Sequence, residues 1–189
     1  MSAVADKIMK RVRAKGRGWV FTPRHFIDFG TRGSVDMALS RLAQAGEIRR
    51  IGRGLYDYPR LHDKLGALTP DAEMIAQAVS AQSGDKLAPS AAAAANRLGL
   101  STQVPARTSY ATTGRTRVSK AAGRSVTLKH SRAPVLGHAS VVANGVVQLL
   151  AGLGRDKVDA DAISQLAARL DAKDVEALLK GRAQMPGWM

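Results

Sequence analysis

Residues 31–58 place the tightest limit on how this chain folds. Four apolar residues repeat there at the spacing of one helix face before a glycine ends the pattern: Val35, Ala38, Leu39, Leu42 and then Gly46. Two β-prone runs follow at once, residues 48–51 and 55–58, separated by the turn-forming Gly52-Arg53-Gly54. The pattern predicts an amphipathic helix that leads directly into a two-stranded hairpin.

The preceding residues predict three further short elements. Residues 3–15 favour a helix, and residues 19–21 form a β-prone run. Thr22 and Pro23 suit the N-cap and first turn of a short helix that ends near Phe29. Helix, strand, helix, turn, helix and hairpin is the element order of a winged helix-turn-helix, a DNA-binding fold. We therefore predict such a domain over residues 1–60.

The rest of the chain predicts a linker at 61–68 and a small basic α+β domain over 69–189. The predicted helices of that domain cover residues 69–81, 91–98, 139–150, 160–170 and 174–179, and its predicted strands cover 109–113 and 125–129. The expected fold class is α+β and mostly helical.

The net charge of +14 indicates a polyanion as partner. Residues 1–60 contribute +8, residues 61–138 contribute +6, and residues 139–189 are neutral. The absence of Cys excludes disulfides and suits the cytoplasm. The longest apolar stretch is too short to span a bilayer, and the first residues lack a signal-peptide pattern, so neither a membrane nor secretion is expected.

The predicted reading helix and hairpin supply the candidate DNA contacts. At the start of the helix, Thr31, Arg32 and Ser34 are candidates for phosphate contacts. Farther along, Met37, Ser40 and Arg41 are candidates for base edges, and an Arg on guanine is the strongest readout. Arg49, Arg50 and Arg53 place charge on the hairpin, where they suit phosphates or the minor groove. The alternatives are that Arg41 pairs with a surface carboxylate and that the hairpin charges only protect an exposed edge.

A second basic cluster lies in the predicted α+β domain. Its members are Arg107, Arg115, Arg117, Lys120, Arg124, Lys129 and Arg132, and the sequence holds no acidic residue between Lys86 and Arg155. The cluster suits DNA, a structured RNA or an acidic protein surface, and a merely solvated face is the alternative.

Enzymatic chemistry is not predicted. His25, His62, His130 and His138 lack metal-ligand spacing with acidic residues. The sequence contains no phosphate-binding GxxxxGK[ST] loop and no convergent set of acid, base and nucleophile. No metal and no cofactor are therefore expected.

Residues 36–56, from Asp36-Met37-Ala38-Leu39-Ser40-Arg41-Leu42 through Gly52-Arg53-Gly54-Leu55-Tyr56, resemble the winged-helix region of the AbiEi-type antitoxins. The resemblance implies an antitoxin of a toxin–antitoxin operon whose winged helix represses its own promoter. It also implies that residues 69–189 counteract a nucleotidyltransferase toxin, and that the partners are the operator duplex and either the toxin or its RNA target. Arg41, Arg49, Arg50 and Arg53 then become operator contacts.

Two alternatives to the antitoxin remain open at the sequence level. One is a stand-alone winged-helix regulator without antitoxin activity. The other is an RNA-binding module that uses the basic cluster at 107–132.

Overall fold

A computed structural model describes residues 3–103 and 108–189, and it divides into two compact units. The first unit comprises the described residues up to Gly84 together with Ser119–Val126. The second comprises Asp85–Val118 and Thr127–Met189, apart from the undescribed residues 104–107. The fold class is mixed α+β, as predicted, and about half of the chain is helical. Within the described ranges, no helix is both long enough and apolar enough to cross a bilayer.

The first unit follows the predicted order of elements up to residue 57. Its elements there are α1 (Ala3–Lys15), β1 (Val20–Phe21), a 3₁₀ helix (Pro23–Phe29), α2 (Arg32–Gln44), β2 (Arg49–Gly52) and β3 (Leu55–Asp57). The predicted apolar stripe of α2 is confirmed, because all four of its residues are buried. They pack with Ile8 and Val12 of α1 and with Phe21 and Phe26 into one core.

The three strands form an antiparallel sheet in the order β1-β3-β2. Phe21 pairs with Tyr56, and Arg50 pairs with Tyr56 on the other side. Trp19 and Tyr58 were predicted as strand residues, but both lie just outside the strands. The backbone N–H of Tyr58 nevertheless donates to the carbonyl of Trp19 at 3.0 Å, so the pairing continues past the assigned ends.

We predicted that the first domain ends at residue 60, but the first unit continues to Gly84. The predicted linker contains a small antiparallel hairpin, β4 (Leu61–His62) and β5 (Gly66–Ala67), and α3 (Ala72–Ser83) follows within the same unit. Side chains tie these segments to the earlier ones. The Arg49 guanidinium donates to the carbonyl of Leu68 at 2.8 Å, and the Gln82 amide donates to the carbonyl of Gly54 at 3.0 Å.

The second unit joins helices to a small sheet. Its elements are β6 (Leu87–Pro89), α4 (Ala91–Arg97), β7 (Ser109–Thr112), β8 (Arg117–Ala121), β9 (Arg124–His130), α5 (Val141–Leu153), α6 (Ala160–Ala167) and α7 (Ala172–Gly181), with 3₁₀ turns at Arg155–Lys157 and Arg182–Gln184. The strand order is β6-β7-β9-β8, with β7 antiparallel to β6 and parallel to β9. The last three residues of β8 and the first three of β9 belong to the first unit. The predicted strands near 109–113 and 125–129 are confirmed, whereas β6 and β8 were not predicted.

Candidate nucleic-acid interface

The first unit carries a surplus of positive charge. It contains sixteen Lys and Arg residues against eight Asp and Glu residues, a net charge of +8. Which cations are available to a partner depends on which of them the acidic residues already hold.

Five arginines of this unit are paired with carboxylates. The pairs are Arg11–Asp28, Arg13–Glu47, Arg32–Asp36, Arg49–Asp57 and Arg60–Asp71. Several of them join separate elements, as Arg11 does between α1 and the 3₁₀ helix. These arginines serve the fold, and the remaining cations are the better candidates for binding a ligand.

Arg49 is held most firmly. Its Nε and Nη2 atoms donate to the two carboxylate oxygens of Asp57 at 3.0 and 2.6 Å, and only 1% of the Asp57 side chain is exposed. Its guanidinium also donates to the carbonyls of Ala67 and Leu68. The hydrogen bond to Asp57 raises the pKa of Arg49. Arg49 was predicted to contact phosphates or the minor groove, but its donors are used by acceptors within the protein, so it is not part of the candidate interface.

The start of α2 uses its predicted phosphate contacts for capping. Thr31 is the N-cap, and its hydroxyl accepts from the backbone N–H of Ser34 at 3.3 Å. The Ser34 hydroxyl donates back to the carbonyl of Thr31 at 2.8 Å, and Arg32 pairs with Asp36. Thr31 and Arg32 remain exposed, whereas Ser34 is half-buried. This terminus is therefore capped by its own side chains, and the backbone N–H groups of a helix's first turn are natural donors to an anion.

The candidate base-reading residues lie on the exposed face of α2. Met37 is 57% exposed, and Ser40 and Arg41 are exposed too, opposite the buried stripe. Among the described residues, the Arg41 side chain has neither an ion-pair nor a hydrogen-bond partner. The alternative that Arg41 pairs with a surface carboxylate is not what the structure shows.

The β2–β3 hairpin holds two further exposed cations, Arg50 and Arg53. Within the described part of the chain, neither side chain has an ion-pair partner. Gly54 has a φ of +64°, a left-handed conformation that favours glycine. The Gln82 amide donates to the carbonyls of both Arg53 and Gly54, at 3.4 and 3.0 Å. A residue of α3, which sequence reasoning did not single out, thus fixes the turn that presents Arg53.

The residues of the predicted second basic cluster are assigned to both units. Arg107 lies outside the described residues. Lys120 and Arg124 belong to the first unit, whereas Arg115, Arg117, Lys129 and Arg132 belong to the second. Arg117 pairs with Asp85 at 2.9 Å, and Asp85 stands one position before the acid-free stretch. The charge of Arg117 is therefore compensated, contrary to the expectation of a cluster without acidic partners.

The turn between β8 and β9 lies beside β2. Ala122 and Gly123 have φ values of +49° and +77°, the two left-handed residues of a tight hairpin turn. The backbone N–H of Ala122 donates to the carbonyl of Ile51 at 3.0 Å. A Cβ atom on Gly52 would lie 3.1 Å from the carbonyl oxygen of Lys120. Gly123 predicts a turn from the sequence. The contact of this turn with β2 joins residues that are far apart in the sequence, so no local pattern predicts it.

In the second unit, Lys129, His130 and Arg132 line an open cleft of about 310 Å³ together with Tyr110. Lys129 and Arg132 are exposed, and Nδ1 of His130 lies 3.0 Å from the carbonyl of Gly114. In residues 3–103 and 108–189, no group of His, Asp and Glu side chains is placed to hold a metal ion.

Together these features define the class of the protein. It is a two-unit α+β protein whose first unit combines a small helical core and a three-stranded sheet. Its exposed Arg41, Arg50 and Arg53 have no ion-pair partner in the described part of the chain. The chain belongs to a family of unknown function, DUF6088, which matches residues 7–178. Comparisons with curated proteins and with solved structures gave no match.

Proposed function

We propose that the first unit is a winged helix-turn-helix that binds double-stranded DNA. In this proposal the 3₁₀ helix Pro23–Phe29 and α2 are the two helices of the motif, and the β2–β3 hairpin is the wing. The observation that carries the proposal is that some arginines of the first unit are paired with carboxylates and others are not. The acidic residues hold the arginines that serve the fold, while Arg41, Arg50 and Arg53 stand exposed without ion-pair partners among the described residues.

The two elements have different tasks in this proposal. The exposed face of α2 enters the major groove, where Met37, Ser40 and Arg41 reach base edges and Arg41 donates two hydrogen bonds to a guanine. The backbone N–H groups at the start of α2 bind a phosphate. Arg50 and Arg53 follow the phosphate backbone beside the groove and supply affinity without reading sequence.

This division of tasks predicts different phenotypes for two arginine variants. Arg41→Ala is expected to lower the preference for the protein's own upstream DNA over random duplex, at a cost of about 1–3 kcal/mol on the specific site. Arg53→Ala is expected to weaken both duplexes alike and to reduce the slope of log K against log salt by about 0.9. Fluorescence anisotropy over a salt series measures both quantities.

Lys157→Ala is the matched control, because it removes one exposed positive charge from the second unit. If it weakens binding as much as Arg53→Ala does, general charge rather than the hairpin drives binding. A wild-type chain that prefers a structured RNA to every duplex would contradict the proposal itself.

The resemblance to AbiEi-type antitoxins extends the proposal to the whole chain. We propose that DNA binding represses the protein's own toxin–antitoxin operon and that the second unit counteracts a nucleotidyltransferase toxin. That the second unit has a core of its own, apart from the first, supports such a division.

Co-expression with a neighbouring nucleotidyltransferase reading frame tests the antitoxin half of the proposal. The full chain is expected to restore growth, and so is the double variant Arg41→Ala/Arg53→Ala, which is impaired only in DNA binding. Failure of the full chain to restore growth would leave a stand-alone regulator.

A further inference from the structure

We infer that the β8–β9 turn is a third DNA-contacting element, in which Lys120 and Arg124 bind backbone phosphates next to those bound by the β2–β3 hairpin. This inference rests on the proposed DNA binding of the first unit. It adds to that function a contact surface formed by Ser119–Val126, the segment of the first unit that lies later in the sequence.

The position of the turn is fixed by backbone contacts. The N–H of Ala122 donates to the carbonyl of Ile51, the residue between Arg50 and Gly52. A Cβ atom on Gly52 would lie only 3.1 Å from the carbonyl oxygen of Lys120. Because glycine leaves that space open, the turn approaches β2 more closely than a residue with a side chain would allow. Lys120 and Arg124 flank this turn, so both lie on a segment that packs against the strand that carries Arg50.

The charges at this place have no ion-pair partner among the residues that the structure describes. Lys120 and Arg124 are exposed, as are Arg50 and Arg53, and no ion pair of theirs occurs in the described parts of the chain. Four cations on neighbouring segments repel one another, and a polyanion relieves that repulsion. A phosphate backbone offers such a series of negative charges.

The charges are not needed to protect the edge of the sheet. Charged residues on an edge strand often prevent pairing with another chain. Here β2 is the edge strand of its sheet. The carbonyl of Ile51 on this strand already accepts a hydrogen bond from the N–H of Ala122 in the turn. A role for these cations in binding an anionic partner therefore accounts for them better than protection of the edge does.

The test uses the full chain with Lys120→Ala and Arg124→Ala, singly and together, and random-sequence duplex DNA as the probe. Each single variant is expected to reduce the slope of log K against log salt by about 0.9, and the pair by about 1.8. Between about 50 and 200 mM salt, wild-type affinity then falls about tenfold more than that of the double variant. The control Lys157→Ala/Lys173→Ala removes the same charge from the second unit and is expected to keep the wild-type slope.

The outcomes separate this inference from the proposed function. If wild type binds DNA and Arg53→Ala lowers the slope, but the double variant keeps the wild-type slope, the turn makes no contact and the inference is overturned. If wild type does not bind DNA, the proposed function fails first. Lys120→Gln/Arg124→Gln, which keeps the stems of both side chains, guards against a loss of folding, and an unchanged thermal unfolding curve accompanies each binding measurement.

Discussion

At the scale of single residues, Asp57 determines what Arg49 does. Because Asp57 is buried at the end of β3, its carboxylate requires a cationic partner, and the pairing of Arg49 with Asp57 in the sheet supplies one. Arg50, next in sequence, points to the other face of the strand and is exposed. Two adjacent arginines therefore have opposite roles, one in the fold and one at the surface.

Asp57→Asn is expected to destabilise the first unit by about 2–3 kcal/mol, because it leaves the Arg49 guanidinium without its carboxylate. Urea unfolding followed by Trp19 fluorescence measures this loss. Since the chain has two Trp residues, a Trp188→Phe background makes the signal specific for the first unit.

The control is Asp36→Asn, which breaks the exposed pair with Arg32 on α2. Exposed pairs of this spacing contribute about 0.5 kcal/mol or less. Equal losses in the two variants would mean that burial of Asp57 does not strengthen its pair with Arg49.

At the scale of elements, the start of the 3₁₀ helix depends on an unprotonated histidine. The backbone N–H of Thr22 donates to Nδ1 of His25 at 3.1 Å. Burial lowers the pKa of His25 below its ordinary value of 6.5, and the charges of Arg11 and Lys15 lower it further, although the carbonyl of Thr22 acts in the opposite direction.

A lowered pKa in the folded state means that the unfolded chain takes up a proton first as the pH falls. The free energy of unfolding of the first unit is therefore expected to decrease as the pH falls through about 6.5, by at most about 1.4 kcal/mol per pH unit. His25→Gln is expected to flatten this dependence between about pH 7.5 and 5.5, as measured by unfolding at several pH values.

His138→Gln serves as the comparison for His25→Gln. Nε2 of His138 lies 3.1 Å from the carbonyl of Ala177 in the second unit, away from the start of the 3₁₀ helix in sequence. The pH dependence should survive in this variant, and its survival in His25→Gln would show that another group is responsible.

The elements that bury much apolar surface were predicted from the sequence, and the exposed ones were not. The stripe of α2 repeats at helical spacing because each of its residues contacts the core, so the sequence predicted it directly. Strand β8 alternates without a strong apolar face, and Val118 on it is 61% exposed. The hairpin β4–β5 is exposed along its whole length, so periodicity had nothing to detect there.

The candidate site was predicted in part, and for a related reason. Exposure of Met37, Ser40 and Arg41 follows from the helix period alone. Whether an arginine is paired depends instead on a carboxylate brought near by the fold, as Asp57 is to Arg49 and Asp85 is to Arg117. Counting charges along the sequence does not distinguish these paired arginines from Arg50 and Arg53.

At the scale of the whole molecule, the positive charge is shared between two units that differ from the predicted domains. The first unit carries +8 and the second +6, although neither unit is a continuous segment. The regional charges along the sequence equal these totals, but Lys120 and Arg124 belong to the first unit and not to the predicted second domain.

The hydrogen bond from Ala122 to Ile51 also limits how this protein is divided or recombined. A segment cut after Gly84 retains α1, α2 and the hairpin but leaves the carbonyl of Ile51 open at an unprotected strand edge, where another copy can pair. Grafting the unit onto another protein therefore requires two pieces of chain. Transfer of the continuous segment alone moves α2 and the β2–β3 hairpin without the β8–β9 turn that contacts β2.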